Sequence, residues 1–214
     1  MTATAWALVA VAGALAASDW IAVSPGVAAR RVEYVLKPAT MVALIGAALA
    51  LTPDTDAQRA FFVAGLALSL AGDIFLMLPA DRFVAGLGSF LLAHLAYIVG
   101  FVCAGVSAGR VTIGAFVVIV AGATIGRRIV RAVRAGDHAK MVAPVAAYMT
   151  VISAMVLVAI GTGVALAIAG ALLFFSSDAL IAWDRFVSPK RWARPAIMAT
   201  YHLAQAALVV SLAR

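Results

Sequence analysis

The chain has 214 residues, of which 65% are hydrophobic and only 12% charged, and its mean hydropathy is +1.10. A water-soluble domain of this size cannot hide so much apolar surface, so the composition excludes the soluble classes and points to a polytopic membrane protein. The formal net charge of +7 needs no nucleic-acid partner, because positive charge gathered at a membrane face accounts for it.

The apolar runs predict eight spans, at 4–23, 36–52, 59–79, 84–106, 111–130, 141–160, 162–182 and 195–213. Each approaches the ~20 residues that cross a bilayer. The first span lacks the basic leader of a signal peptide, and Arg30 and Arg31 follow it instead, so it is expected to be a retained helix. The expected fold is therefore all-α, a bundle of eight transmembrane helices forming one integral membrane domain over residues 1–214. Cys103 is the single cysteine, which rules out an intramolecular disulfide.

Charge placement supports the count of eight. The loops after spans 1, 3, 5 and 7 carry 13 of the 16 basic residues, and the opposite face holds Arg59, Arg110 and Arg214. The positive-inside rule then puts the odd-numbered loops in the cytoplasm and both termini outside. The expected location is the bacterial plasma membrane, crossed many times. Arg127, Arg128, Arg131 and Arg134 form a basic stripe at the end of span 5, read as a topology determinant and a contact for anionic lipid.

Against this apolar background a few polar residues stand out. Asp73 lies inside span 3, after Gly72, and Asp178 lies inside span 7, after Ser176 and Ser177. An ionisable group within a span costs about 2.5–3.5 kcal/mol on insertion scales, which makes it a functional candidate by default. Asp81-Arg82-Phe83 closes the first of these runs and Asp184-Arg185-Phe186 closes the second. Asp184-Arg185 reads as a solvated turn with an ion pair. Asp73 can pair with Arg82 or Lys37 at the membrane edge, or line a crevice. Ser176 and Ser177 can donate to a carboxylate or bond back to their own helix. Lys37 opens span 2 and reads equally as a snorkelling anchor or as a partner for an Asp or a lipid phosphate.

His94 and Tyr97 lie three apart and share one face of span 4, while Tyr201, His202 and Gln205 cluster on span 8. Tyr201 reads equally as an interfacial belt residue or a site residue. The third histidine, His138, sits in a basic loop beside Asp137, and no HExxH or His-x-His spacing is present. No metal and no cofactor are expected. The chain order also suggests a 4+4 parallel internal repeat, in which Asp73 matches Asp178, Pro38 matches Pro144, and His94 with Tyr97 faces Tyr201, His202 and Gln205.

These residues resemble the YhhN family, whose characterised animal members are lysoplasmalogenases. The likeness rests on Lys37-Pro38, Gly72-Asp73 with Leu76-Met77-Leu78, Phe83 with Gly86, and Phe90 with His94 and Tyr97. It continues through Gly170-Ala171, Phe174, Ser177-Asp178, Arg185-Phe186, and Tyr201 with Gln205, and so covers spans 2 to 8. The resemblance implies a hydrolase that cleaves the vinyl-ether bond of a lysoplasmalogen, giving a fatty aldehyde and a glycerophospho-head group. That chemistry starts by protonating an alkene carbon, so it needs a carboxylic acid that keeps its proton, which burial and a second carboxylate nearby both favour.

The catalytic candidates are thus Asp178 as acid and Asp73 as base. Lys37 is the candidate for the substrate phosphate, and His94, Tyr97, Ser177, Tyr201 and Gln205 for binding and orientation. The expected partners are a lysophospholipid substrate and membrane lipids. Three other readings stand beside this one: a proton- or cation-coupled transporter using the same two acids, a metal-dependent lipid hydrolase, and a lipid-binding scaffold that needs only Lys37 and the basic stripe.

Overall fold

The computed structural model describes residues 1–27, 29–80, 82–136 and 139–213. Asp81 of the first expected turn, and Asp137 and His138 of the basic loop, lie outside the described residues. Eight long helices follow in chain order: α1 (Ala3–Ala22), α2 (Arg30–Ala50), α3 (Asp56–Met77), α4 (Phe83–Ala104), α5 (Ala108–Ala135), α6 (Val142–Thr162), α7 (Ala165–Phe186) and α8 (Ala193–Val210). Among the described residues there is no strand. The all-helical membrane architecture expected from hydropathy is therefore the one observed.

Seven of these helices are long and apolar enough to cross a membrane. The exception is α8, at 18 residues, which spends polarity on Arg194, Tyr201, His202 and Gln205. The last three are buried in the bundle, so the polarity that lowers its hydropathy faces protein and not lipid. Pro38 sits inside α2 without ending it, as neighbouring helices permit in a membrane. Asp184 and Arg185, expected in a loop, form part of the last turn of α7, which runs four residues past its predicted end.

Hydrophobicity alone gives helices no reason to associate in lipid, so close packing and buried polar groups must do it. Small residues supply the first. On α1 the buried face reads Ala5, Ala12, Ala16 and Asp19, a stripe that lets a neighbour come near. Glycine performs the same service reciprocally between α3 and α4. A Cβ at Gly65 or Gly72 of α3 would lie 2.7 Å from the ring of Tyr97 or Phe90, and one at Gly86 or Gly100 of α4 would lie 2.6 Å from Leu76 or Phe62. Each helix therefore seats two large side chains in gaps left on the other.

The neighbour relations close a ring of seven, running α1–α2–α3–α4–α6–α7–α8 and back to α1, with α8 also reaching α2 and α3. Helix α5 stands outside it, against α6 and the end of α7, and buries only Gly114, Gly126, Ile129 and Val133. Its course is interrupted by one π-turn at Gly122–Gly126. Successive connections place the ends of α1, α3, α5 and α7 and the starts of α2, α4, α6 and α8 at one end of the bundle. That end carries most of the basic residues.

The glycine contacts yield a paired prediction. Gly72→Ala forces Phe90 to move and is expected to cost about 1–3 kcal/mol, as overpacked cores do. Gly88→Ala meets nothing within 4 Å and should instead stabilise its helix by up to about 1 kcal/mol. Thermal unfolding in detergent micelles reads both; shifts of the same sign would contradict this packing.

Candidate active site

At the basic end, a polar crevice of about 440 Å³ opens between α2, α3, α4, α7 and α8. Asp73 and Asp178 both line it, with Lys37, Ser177 and Tyr201 beside them and Glu33, Asp184, Arg185 and Arg194 toward its mouth. Helix periodicity explains the convergence: each polar residue sits near the same end of its helix, on the face turned inward.

The two acids have different surroundings. Asp73 is buried to 1% exposure and forms an ion pair with Lys37, Nζ to Oδ1 2.9 Å, while Tyr201 Oη donates to its Oδ2 at 2.6 Å. Lys37 is only 4% exposed and its ammonium also lies 5.6 Å from the centre of the Tyr201 ring. The snorkelling alternative for Lys37 is thereby overturned, because the ammonium points to a carboxylate inside the bundle and not to the membrane surface. Of the two partners expected for Asp73, Lys37 is the one observed. Tyr201 is buried as well, which removes its belt reading.

Among the described residues Asp178 has no comparable counter-ion. Tyr148 Oη of α6 donates to its Oδ2 at 2.6 Å, and His94 Nε2 of α4 lies 3.5 Å from the same oxygen. The serines beside Asp178 face elsewhere, since adjacent helical positions diverge. Ser176 bonds back to the Leu172 carbonyl at 2.8 Å, and Ser177 donates to the Ile197 carbonyl of α8 at 3.1 Å. Each acid is thus held by one helix from its own half of the chain and one from the other half: Asp73 by α2 and α8, Asp178 by α6 and α4.

Behind the crevice wall lie the remaining expected residues. His94 is fully buried and packs edge-on against Phe174 and Tyr148, with centroids 4.6 and 5.3 Å away. Tyr97 Oη donates to Gln205 Oε1 at 2.6 Å, joining α4 to α8 across the bundle. Phe90 and Phe174 pack against Tyr201 at 5.8 and 5.5 Å, so the crevice has an aromatic back wall. His94, Tyr97 and Gln205 are not among the residues lining the crevice; they brace the side chains that do.

Sequence reasoning missed four residues here. Tyr148 holds Asp178, and Glu33 pairs with Arg194 at the mouth. Asp19 of α1 is wholly buried, and neither of its oxygens has a hydrogen-bond partner among the described residues. Lys37 and Arg194 lie within electrostatic range of it. The cost of a charge within a span, the signal that exposed Asp73, applies equally to Asp19. Tyr148 gives no such signal, because a tyrosine near the end of a span resembles a belt residue. His202 accepts from Trp20 Nε1 at its Nδ1, 3.1 Å. Among the described residues no group of three His, Cys, Asp or Glu side chains is placed to hold a metal ion.

Eight packed helices, seven of them apolar enough to cross a membrane, with one buried and one half-buried acid in one crevice define a polytopic membrane protein with a site inside its bundle, open toward one end. Comparison with known sequences specifies it further: residues 32–212 match the YhhN family, and the chain belongs to that family. It is 34% identical over 151 residues to the human protein named lysoplasmalogenase TMEM86B, covering 70% of this chain and 62% of that one. It is 35% identical over 167 residues to a Mycobacterium tuberculosis (strain CDC 1551) protein named lysoplasmalogenase, covering 71% and 60%. Over a shorter stretch of 69 residues it is 38% identical to the membrane protein YhhN of Escherichia coli O157:H7, covering 32% and 33%. The match spans about three-fifths of the length of the lysoplasmalogenases named here. No solved structure matches the chain.

The ion pair is open to a double-variant test. Lys37→Met leaves Asp73 buried beside no counter-charge and is expected to cost about 3–5 kcal/mol, whereas Lys37→Met with Asp73→Asn should recover most of that loss. Melting temperatures of the two single variants and the double variant measure the coupling. Additive losses would mean that the two groups do not interact.

Proposed function

We propose that the chain is a lysoplasmalogenase-like hydrolase that cleaves the vinyl-ether bond of an alkenyl lysophospholipid. The observation that carries this reading is the unlike setting of two acids in one crevice, Asp73 against an ammonium and Asp178 against a tyrosine hydroxyl and an imidazole. Vinyl-ether hydrolysis requires one carboxyl as proton donor and one carboxylate, and this pair can supply both. The names of the human and mycobacterial relatives agree with it.

In the proposed reaction Asp178 gives its proton to the alkene carbon remote from the ether oxygen, and the alkene electrons form the new C–H bond. The carbon bonded to oxygen becomes an oxocarbenium ion. The Asp73 carboxylate and the aromatic back wall stabilise that cation. Water then adds to it, losing a proton to Asp73. The hemiacetal collapses as its hydroxyl gives up its proton to form the aldehyde carbonyl and the bond to the glycerol oxygen breaks; that oxygen takes up a proton in exchange, and the products are a fatty aldehyde and a glycerophospho-alcohol. Proton transfer between the acids through water returns Asp178 to its starting form.

In this reading Lys37 is the counter-charge of Asp73. The head-group phosphate is held nearer the mouth, where Arg185 and Arg194 line the crevice. Helix-end basic residues orient that mouth toward the cytoplasm by the positive-inside rule.

The test is aldehyde release by purified, lipid-reconstituted protein from an alkenyl lysophospholipid, beside the matched acyl lysophospholipid. Aldehyde is expected from the alkenyl lipid alone. Asp178→Asn should lower the rate about a hundred- to ten-thousand-fold, the usual worth of a general acid, with the melting temperature showing that the variant is folded. Chelator treatment is expected to leave the rate unchanged, which separates this mechanism from a metal-dependent hydrolase. Folded protein that releases no aldehyde would overturn the reading.

A further inference from the structure

Asp178 stands where two spaces meet. On one side is the polar crevice; on the other is an apolar pocket of about 50 Å³ between α4, α5, α6 and α7. Leu76, Phe83, Phe90, Asp178 and Ile181 line both, so the two spaces adjoin at the acid. The remaining wall is apolar, with Leu87 from α4, Ile125 and Ile129 from α5, and Ile152 from α6.

The outer wall is also the part of the bundle held by the fewest neighbours. Helix α5 lies outside the ring of seven and scarcely touches α4, which leaves a seam between those two helices. Ile125 lines the pocket and is still 38% exposed, so the wall is one side chain thick at that point. Ile125 belongs to the π-turn at Gly122–Gly126. Such turns interrupt the regular hydrogen-bond ladder and recur at functional sites.

Resting on the hydrolase reading above, we propose that this pocket is the neck through which the alkenyl chain of the substrate leaves the site, passing Asp178 and emerging between α4 and α5 into the lipid. The head group stays at the charged mouth, the vinyl ether crosses the two acids, and the hydrocarbon leads sideways. The pocket has room for roughly three or four water-sized groups, so it encloses only the carbons next to the ether. The rest of the chain stays in the bilayer, where it gains nothing further from the protein. The site therefore senses bulk beside the double bond and is indifferent to total chain length.

The experiment compares kcat/KM for hexadecenyl and propenyl lysophospholipids, the second ending inside the neck. Wild type is expected to turn over both. Ile129→Trp, which narrows the neck, should lower the hexadecenyl-to-propenyl ratio by about tenfold or more, equivalent to about 1.4 kcal/mol, while retained propenyl turnover reports a folded site. Ile152→Ala, which widens it, should raise turnover of a hexadecenyl substrate methyl-branched beside the double bond relative to the unbranched one. Both ratios unchanged from wild type would overturn the proposal. Loss of aldehyde release from every substrate by wild type would instead remove the hydrolase reading on which it rests. A lysophospholipid with a diazirine midway along its chain supplies a readout free of turnover: crosslinks on α4 and α5 support the exit, and crosslinks confined to α1 and α2 overturn it.

Discussion

The ion pair between Lys37 and Asp73 governs the architecture around it. Both groups are buried within helices that cross hydrocarbon. Either charge alone would be prohibitive there, so the pair exists only because α2 and α3 bring it together, and Tyr201 of α8 occupies the second carboxylate oxygen. Three helices are thus bound to one another through a single carboxylate. Apolar contact cannot impose that specificity in lipid, since tails and leucines are equivalent solvents for a helix face. Glycine-lined approach sets how near α3 comes to α4, and the ion pair sets which helix lies on the other side of α3.

A second constraint follows from the first. Once Lys37 is committed to Asp73, Asp178 has to be accommodated by groups without a fixed positive charge, and Tyr148 and His94 are what the structure provides. The result is two acids of the same type in unlike surroundings, one against an ammonium and one against a hydroxyl and an imidazole. Their separation onto α3 and α7, with supports drawn from α2, α8, α6 and α4, means that no single hairpin contains a complete acid site. The site exists only when the ring is closed. Tyr97 to Gln205, from α4 to α8, is one polar link across the ring, and Trp20 to His202, from α1 to α8, lies where it closes.

Much of this was legible in the sequence. The eight helices were visible because length and hydropathy determine a span almost independently of tertiary structure, and the segregation of basic residues fixed their alternation. Asp73 and Asp178 were visible because a carboxylate inside an apolar run is costly without a reason. Lys37 was visible as a candidate and as one of two possible partners for Asp73, but the choice between pairing and snorkelling was not, since both give the same sequence. Tyr148 was hidden by its resemblance to a belt aromatic, and the serines beside Asp178 drew attention that belongs to a tyrosine on another helix. The π-turn in α5 left no trace either: Gly122 and Gly126 permit it, but many glycines in apolar helices permit close packing alone.

The position of α5 bears on which function the site can serve. A transporter of the kind built from repeats places its site near the midplane, within reach of both faces. Here the residues lining the crevice, from Glu33 and Asp73 to Asp184 and Arg194, all lie toward the basic ends of their helices. The second space beside Asp178 is apolar and is walled on its outer side by α5. A solvated ion has no use for such a route, because every step along it would strip water without replacing it. Hydrocarbon carries no such hydration to lose. The combination of a charged mouth, an acid at the junction and an apolar space beside it therefore suits a molecule with one polar head and one tail better than it suits an ion.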